Sequence, residues 1–255
     1  MLDTSTDSAW EEWGRRDPYY GVITHPKFRR SLMDETARRE FFESGMAHAN
    51  HVLATIHKHI QPNFAPKRIL EFGCGVGRLL VPFAAIADEV VGLDVSPSML
   101  SEARRNCDER ELKNVRLLCS DDDLAGLEGT FDLIHSCIVF QHIPVSRGRT
   151  ILGNLLRHLS SGGVAAIHLT YSKTQFASSH GVAPSVAAPI ATATPPKQAD
   201  VDPEIQMNPY NMNEILFLMQ QQGAEGCQLE FTDHGGELGA FLFFSLPRTA
   251  STIAV

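Results

Sequence analysis

The residues best suited to holding a ligand are Glu71-Phe72-Gly73-Cys74-Gly75-Val76-Gly77, set between an apolar run and a helical pattern. Glycines at a strand-to-helix turn let backbone amides approach a ligand closely, and the helix N-terminus favours negative charge. A dinucleotide site would place a third glycine where Arg78 stands, which disfavours a nicotinamide cofactor. Asp94 lies 21 residues beyond Gly73, at the end of the next apolar run. A carboxylate at that distance is placed to accept hydrogen bonds from ribose hydroxyls.

Other chemistry-bearing residues are sparser. Asp121, Asp122 and Asp123 form an acidic turn, and His135, His142 and His168 fall in or just after apolar runs. His48, His51, His57 and His59 share one helical stretch, but no Cys or carboxylate completes a recognised set such as H-E-x-x-H. The reading is a polar helix face, with no metal. Cys74, Cys107, Cys119, Cys137 and Cys227 include no C-x-x-C pair, and an odd number argues against a complete disulfide framework.

The elements that must position these groups alternate. Residues 68–72, 89–95, 115–119, 131–137 and 164–170 read as strands, with helices at 77–87, from Ser96-Pro97 onward, and at about 147–159. Ser161-Gly162-Gly163 reads as the stop between that last helix and the fifth strand. A helix at 213–222 precedes strands at 226–231 and 239–246, joined by Asp233-His234-Gly235-Gly236 as an antiparallel hairpin. The order predicts an α/β, doubly wound, mostly parallel seven-stranded sheet with an antiparallel terminal strand. Residues 1–66 carry a long helical pattern through Phe41, Phe42, Val52, Leu53 and Ile56 and read as an N-terminal helical extension or lid. The main domain is expected over 67–255, with a lid loop from 172 that is rich in Ala, Pro, Ser and Thr and a substrate-lid region reaching 211.

The family resemblance lies in several motifs in order. Ile69 to Leu79 resembles motif I of class I methyltransferases that use S-adenosylmethionine (SAM), and Val91-Gly92-Leu93-Asp94-Val95-Ser96 resembles motif II. Cys119 to Leu124 is similar to the family's acidic turn beside the adenine. Phe131 to Ile143 is similar to the fourth strand and the segment that passes the methionine end. The resemblance covers about Lys67 to Thr170 and leaves the substrate regions uncovered. It implies SAM as cofactor, bound by Gly73, Cys74, Gly75, Arg78, Asp94, Val95, Met99, Asp121, Asp122, Ser136 and Cys137. It also implies methyl transfer by direct displacement to an O or N atom of a small molecule. His142 is the candidate to remove the acceptor's proton, while an imidazole there also serves as a packing and backbone-bonding group. Glu71 is expected to orient the glycine turn.

Composition narrows the partners. With 43% hydrophobic and 20% charged residues the chain can bury a sizeable core, so disorder throughout is excluded. A net charge of −8 and a pI near 5.7 oppose binding that depends on neutralising phosphates, so no nucleic-acid partner is expected. No run approaches the ~20 apolar residues that span a bilayer, and the first ten residues are polar and acidic, so the expectation is a cytoplasmic protein with no membrane partner. Two rivals remain: a non-catalytic SAM-binding regulator and, less favoured, an NAD-dependent enzyme. Trp10, Trp13, Tyr19 and Tyr20, with Gln206 to Asn211, supply either an acceptor pocket or packing. The sequence leaves the acceptor and the oligomeric state open. Asn208-Pro209-Tyr210 resembles part of the Asn-Pro-Pro-Tyr motif of amino-methylating enzymes but sits far from the end of the fourth strand, so a DNA-methylating role is set aside.

Overall fold

The computed structural model describes residues 5–176 and 202–248. Most of the expected lid loop, residues 177–201, lies outside the described residues, as do 1–4 and 249–255. Three helices open the described chain: α1 (Ser5–Arg16), the short α2 (Pro18–Val22) and α3 (Glu35–His59). β1 (Arg68–Phe72), α4 (Leu80–Ala84), β2 (Glu89–Asp94), α5 (Pro97–Asp108), β3 (Val115–Cys119), β4 (Phe131–Ser136), α6 (Val145–Arg157) and β5 (Leu159–Lys173) follow in alternation. The chain closes with α7 (Met212–Gln221), β6 (Glu225–Asp233) and β7 (Glu237–Ser245).

The seven strands form one sheet in the order β3-β2-β1-β4-β5-β7-β6. The first five are parallel, and β7 inserts between β5 and β6, antiparallel to both. Strand alternation assigns the two faces. Leu70, Phe72, Val91, Leu93, Ala165, Ile167, Leu242 and Phe244 pack on the side of α6 and α7. Ile69, Val90, Val164, Ala166, Phe241 and Phe243 pack with α3 and α4. The chain changes direction across the sheet between β1 and β4, and ligands of open α/β sheets bind outside the strand carboxyl ends at such a switch point.

Two local readings need correction. The helix expected over 77–87 is helical only over Leu80–Ala84, because Gly77 takes φ +86° and Pro82 has no N–H to donate. Ser161-Gly162-Gly163 is not a turn before the fifth strand but lies inside it. There the register with β4 jumps from Phe131↔Leu159 to Leu133↔Val164, and Gly162 sits at φ +72° to absorb the bulge.

Candidate active site

The glycine turn is built from both strands that flank it. Gly73 N and Cys74 N both donate to Leu93 O at 2.8 Å, and Gly75 N donates to Asp94 Oδ2 at 2.8 Å. Gly73 and Gly75 take positive φ, and a Cβ at Gly73 would lie 2.3 Å from a Val139 methyl. Only glycine fits there, because Val139 fills the place a Cβ would take. Asp94 Oδ1 accepts from Ser96 N at 2.9 Å. Burial pushes the Asp94 carboxyl up to about 6, against the lowering effect of its backbone hydrogen bonds.

These groups line one cavity of about 820 Å³. Gly73, Cys74, Gly75, Arg78, Asp94, Val95, Met99, Asp121, Asp122, Cys137 and His142 all stand in its wall. Ser136 does not. It is fully buried, and its hydroxyl has no hydrogen-bond partner among the described residues. At the end of β4, cavity access passes to Cys137, whose thiol burial pushes up to about 12 and so keeps protonated. The next residue, Ile138, holds φ +59°, an uncommon conformation for a β-branched side chain and one that lies in the cavity wall.

The sign of charge differs along the wall. Arg78 is half-buried, donates from Nη1 to Ser44 Oγ at 3.4 Å, leaves its Nε without a partner and has no carboxylate within ion-pair distance among the described residues. A cation partly withdrawn from water without a counter-charge favours an anionic ligand group in this corner of the cavity. Asp122 is held by the Arg147 guanidinium at 2.7 and 2.9 Å, and Arg147 also binds both oxygens of Asp7 from α1 at 3.0 Å. Asp121 accepts from Ala125 N.

His142 is fixed by what surrounds it. Its Nδ1 lies 2.9 Å from Gln206 O, its ring is 5.0 Å from Trp10, and Thr6 donates to its carbonyl. A carbonyl can only accept, so Nδ1 carries the proton and Nε2 keeps a lone pair. Burial pushes the imidazole down to about 4, outweighing the Gln206 carbonyl, so it is neutral at pH 7.

Glu71 bonds His135 rather than the glycine turn. Its Oε2 lies 2.6 Å from His135 Nδ1, and His135 Nε2 lies 3.0 Å from His48 Nε2. Burial drives Glu71 well above the usual carboxylate range and holds His135 and His48 down to about 3 and 2. The chain is therefore neutral, with Glu71 donating to His135 and His135 donating to His48. This corrects the polar-face reading for His48, which stacks on Phe241, whereas His51 remains exposed and pairs with Glu230. Among the described residues no three His, Cys, Asp or Glu side chains group as metal ligands, and all five cysteines are free.

The aromatic residues near the start divide. Trp10 lines the cavity, while Trp13, Tyr19 and Tyr20 are core, with Tyr19 OH donating to Asn106. The segment 206–210 braces the stretch after β4. Asn208 N donates to Gln141 O, and the buried Tyr210 OH donates to the carbonyls of Phe140 and Ile143. His168 is buried between strands, 2.8 Å from Thr232 Oγ1, away from the cavity wall.

Sequence reasoning missed Asp7, Arg147, His234 and Glu237, all in the wall. Arg147 had a signal, since it shares the helix face of Ile151 and Leu155 in a strongly amphipathic segment. The others had none.

A parallel sheet of this order with a glycine turn at its switch point defines the class I methyltransferase fold. Residues 69–163 match the family described as methyltransferase domain, and the fold around them is that of class I methyltransferases. A malonyl-[acyl-carrier protein] O-methyltransferase of Bacillus anthracis is 29% identical over 137 residues, covering 53% of this chain and 48% of that protein. Trans-aconitate 2-methyltransferase of Methylobacterium nodulans is 37% identical over 114 residues, covering 42% and 40%. The matches thus span less than half the length of these relatives. Magnesium protoporphyrin IX methyltransferase from Synechocystis PCC 6803, solved with bound S-adenosylhomocysteine (SAH), superposes with a TM-score of 0.61 at 16% identity, over 96% of this chain and 97% of that one. The N-methyltransferase NodS from Bradyrhizobium japonicum WM9, also with SAH, gives 0.59 at 14% identity, over 96% and 100%.

Proposed function

We propose that the protein is a SAM-dependent methyltransferase that transfers the methyl group to an O or N atom of a small molecule. The observation that carries this reading is the convergence on one cavity of a glycine turn with no room for a Cβ, the Asp94 carboxylate at the end of β2 and the half-buried Arg78 with its unpartnered Nε. These groups fit SAM: Asp94 would accept from the ribose hydroxyls through its remaining lone pairs, Asp121 would flank the adenine, and Arg78 would meet the methionyl carboxylate.

Bound SAM supplies a sulfonium-activated methyl carbon, whose C–S bond breaks as the C–O or C–N bond forms, leaving SAH and releasing the acceptor's proton. The chain's residues orient the partners and exclude water. The His142 imidazole holds a neutral Nε2 lone pair toward which an acceptor O–H or N–H can point. With its pKa near 4 it orients and shares that proton more readily than it removes it outright. α1 covers this arrangement from outside through the Asp7–Arg147–Asp122 cluster.

One sequence relative is an O-methyltransferase by name and one structural neighbour an N-methyltransferase, so both acceptor atoms stay within the proposal. No helix among the described residues is long and apolar enough to cross a membrane. The test is transfer of tritiated methyl from SAM to a metabolite panel. Label recovered as O- or N-methyl product supports the reading. Tight SAH binding with no transfer to any acceptor would favour a non-catalytic SAM-binding protein.

A further inference from the structure

The far side of the cavity is supplied by the β6–β7 hairpin, which lies beyond the matched segment 69–163. Two of its residues, His234 and Glu237, stand in the cavity wall. The hairpin end is fixed from two sides. Gly236 N donates to Asp233 Oδ1 at 2.6 Å, and Thr174 N donates to Gly236 O at 2.8 Å.

Glu237 faces Lys173 across the β5–β7 pairing, and its Oε1 lies 3.2 Å from Lys173 Nζ. Its Oε2 is buried and has no hydrogen-bond partner among the described residues. A carboxylate oxygen out of contact with water and without a donor is a costly arrangement, and native proteins rarely retain one without use. Burial lowers the pKa of His234, whose ring lies 5.3 Å from that of His168, so it adds no positive charge at pH 7. The same cavity wall carries the apolar side chains of Ile23, Ile138, Ile205 and Met207.

We infer that Glu237 is the acceptor-positioning residue, and that the acceptor is a partly apolar molecule bearing a hydroxyl or amine N–H. A carboxylate oxygen can only accept, so the missing partner is a donor. Lys173 offsets the Glu237 charge, so discrimination against an anionic acceptor comes from hydrogen bonding: an ionised carboxylic acid has no proton to donate to Oε2. Carboxylic acids are therefore disfavoured as acceptors, even though a relative is named for trans-aconitate. The inference rests on the methyl-transfer reading and deepens it. Glu237 acts by holding the acceptor's donor group in the cavity while the apolar wall takes the remainder.

The test uses the whole chain saturated with SAH and three ring probes of similar size, phenol, aniline and benzoate, followed by ligand-observed NMR. Phenol and aniline are expected to bind at least fivefold more tightly than benzoate. In Glu237→Gln that preference should shrink at least threefold, with SAH affinity unchanged within twofold. Glu237→Ala should do the same with a larger loss, and unchanged SAH binding in both variants shows that they remain folded. Benzoate binding as well as phenol, no detectable phenol or aniline binding to the SAH-loaded protein, or a preference unaltered by either substitution overturns the inference. If the wild type fails to bind SAH at all, the underlying methyl-transfer reading fails first, which separates the two outcomes.

Discussion

The floor and the cover of the cavity hold their ligand-facing groups by different means. On the floor, backbone geometry does the work: three amides of the glycine turn are spent on Leu93 O and Asp94, and the side chains that matter lie at strand ends. On the cover, α1 is held by the side-chain pair Asp7–Arg147, and although the hairpin is anchored by backbone pairing to β5, its cavity-facing Glu237 is set by Lys173. A site built on backbone tolerates little change in sequence, whereas one built on side-chain pairs can be rewritten residue by residue. One fold can thus keep its cofactor chemistry while its acceptor changes.

The sharpest way to break this contrast is at Gly73. Gly73→Val forces a Cβ into Val139 at a positive φ, and SAH binding should fall by at least ~100-fold or the fold should be lost, as read by calorimetry and thermal melting. Asp94→Asn comes next. It keeps the size of the side chain but weakens the hydrogen bonds accepted from two backbone amides and the ribose contact, and SAH affinity should drop about 10- to 100-fold, since a hydrogen bond to a charged group contributes about 1.5–3 kcal/mol.

The same carboxylate sets a pH dependence. Its folded pKa is raised to about 6, so it is ionised above that value and takes up a proton below it. The ionised form is the better ribose acceptor, so SAH affinity should weaken as pH falls through 6, approaching about tenfold per pH unit below it. A flat profile between pH 5 and 7.5 would contradict the assignment.

The cover should respond differently. His142→Gln should lower kcat about tenfold with SAH binding nearly unchanged, in keeping with an orienting role weaker than full general-base catalysis. Asp7→Ala should produce the smallest effect. Arg147 keeps Asp122, so stability should fall by about 1 kcal/mol or less in denaturant titration, while SAH dissociates a few-fold faster because α1 is less firmly held. A loss of SAH binding from Asp7→Ala as large as that from Asp94→Asn would erase the distinction between floor and cover.

This division also explains what could be read in the sequence. The strands around the glycine turn are short, apolar and buried on both faces, so their runs were plain, and the turn announced itself through Gly73, Gly75 and Gly77. The hairpin at 225–245 was equally legible through its glycines at 235 and 236. What escaped were facts of assembly. That β7 would insert between β5 and β6 follows from pairing, not from local pattern. Glycines inside β5 imitated a turn because a bulge and a helix stop ask for the same left-handed conformation. Ser136 and Cys137 are neighbours with opposite fates at a strand end, and Glu71 found His135 from an adjacent strand. Asp7 and Glu237 carry no mark in the sequence of the partners they meet 140 and 64 residues away.

The most direct test of the central claim is calorimetric titration of the ligand-free protein with SAH. One site per chain with a micromolar or tighter dissociation constant is expected, weakened by Asp94→Asn. Absence of binding to the wild type would contradict the cofactor site itself and return the cavity to an open search for its ligand.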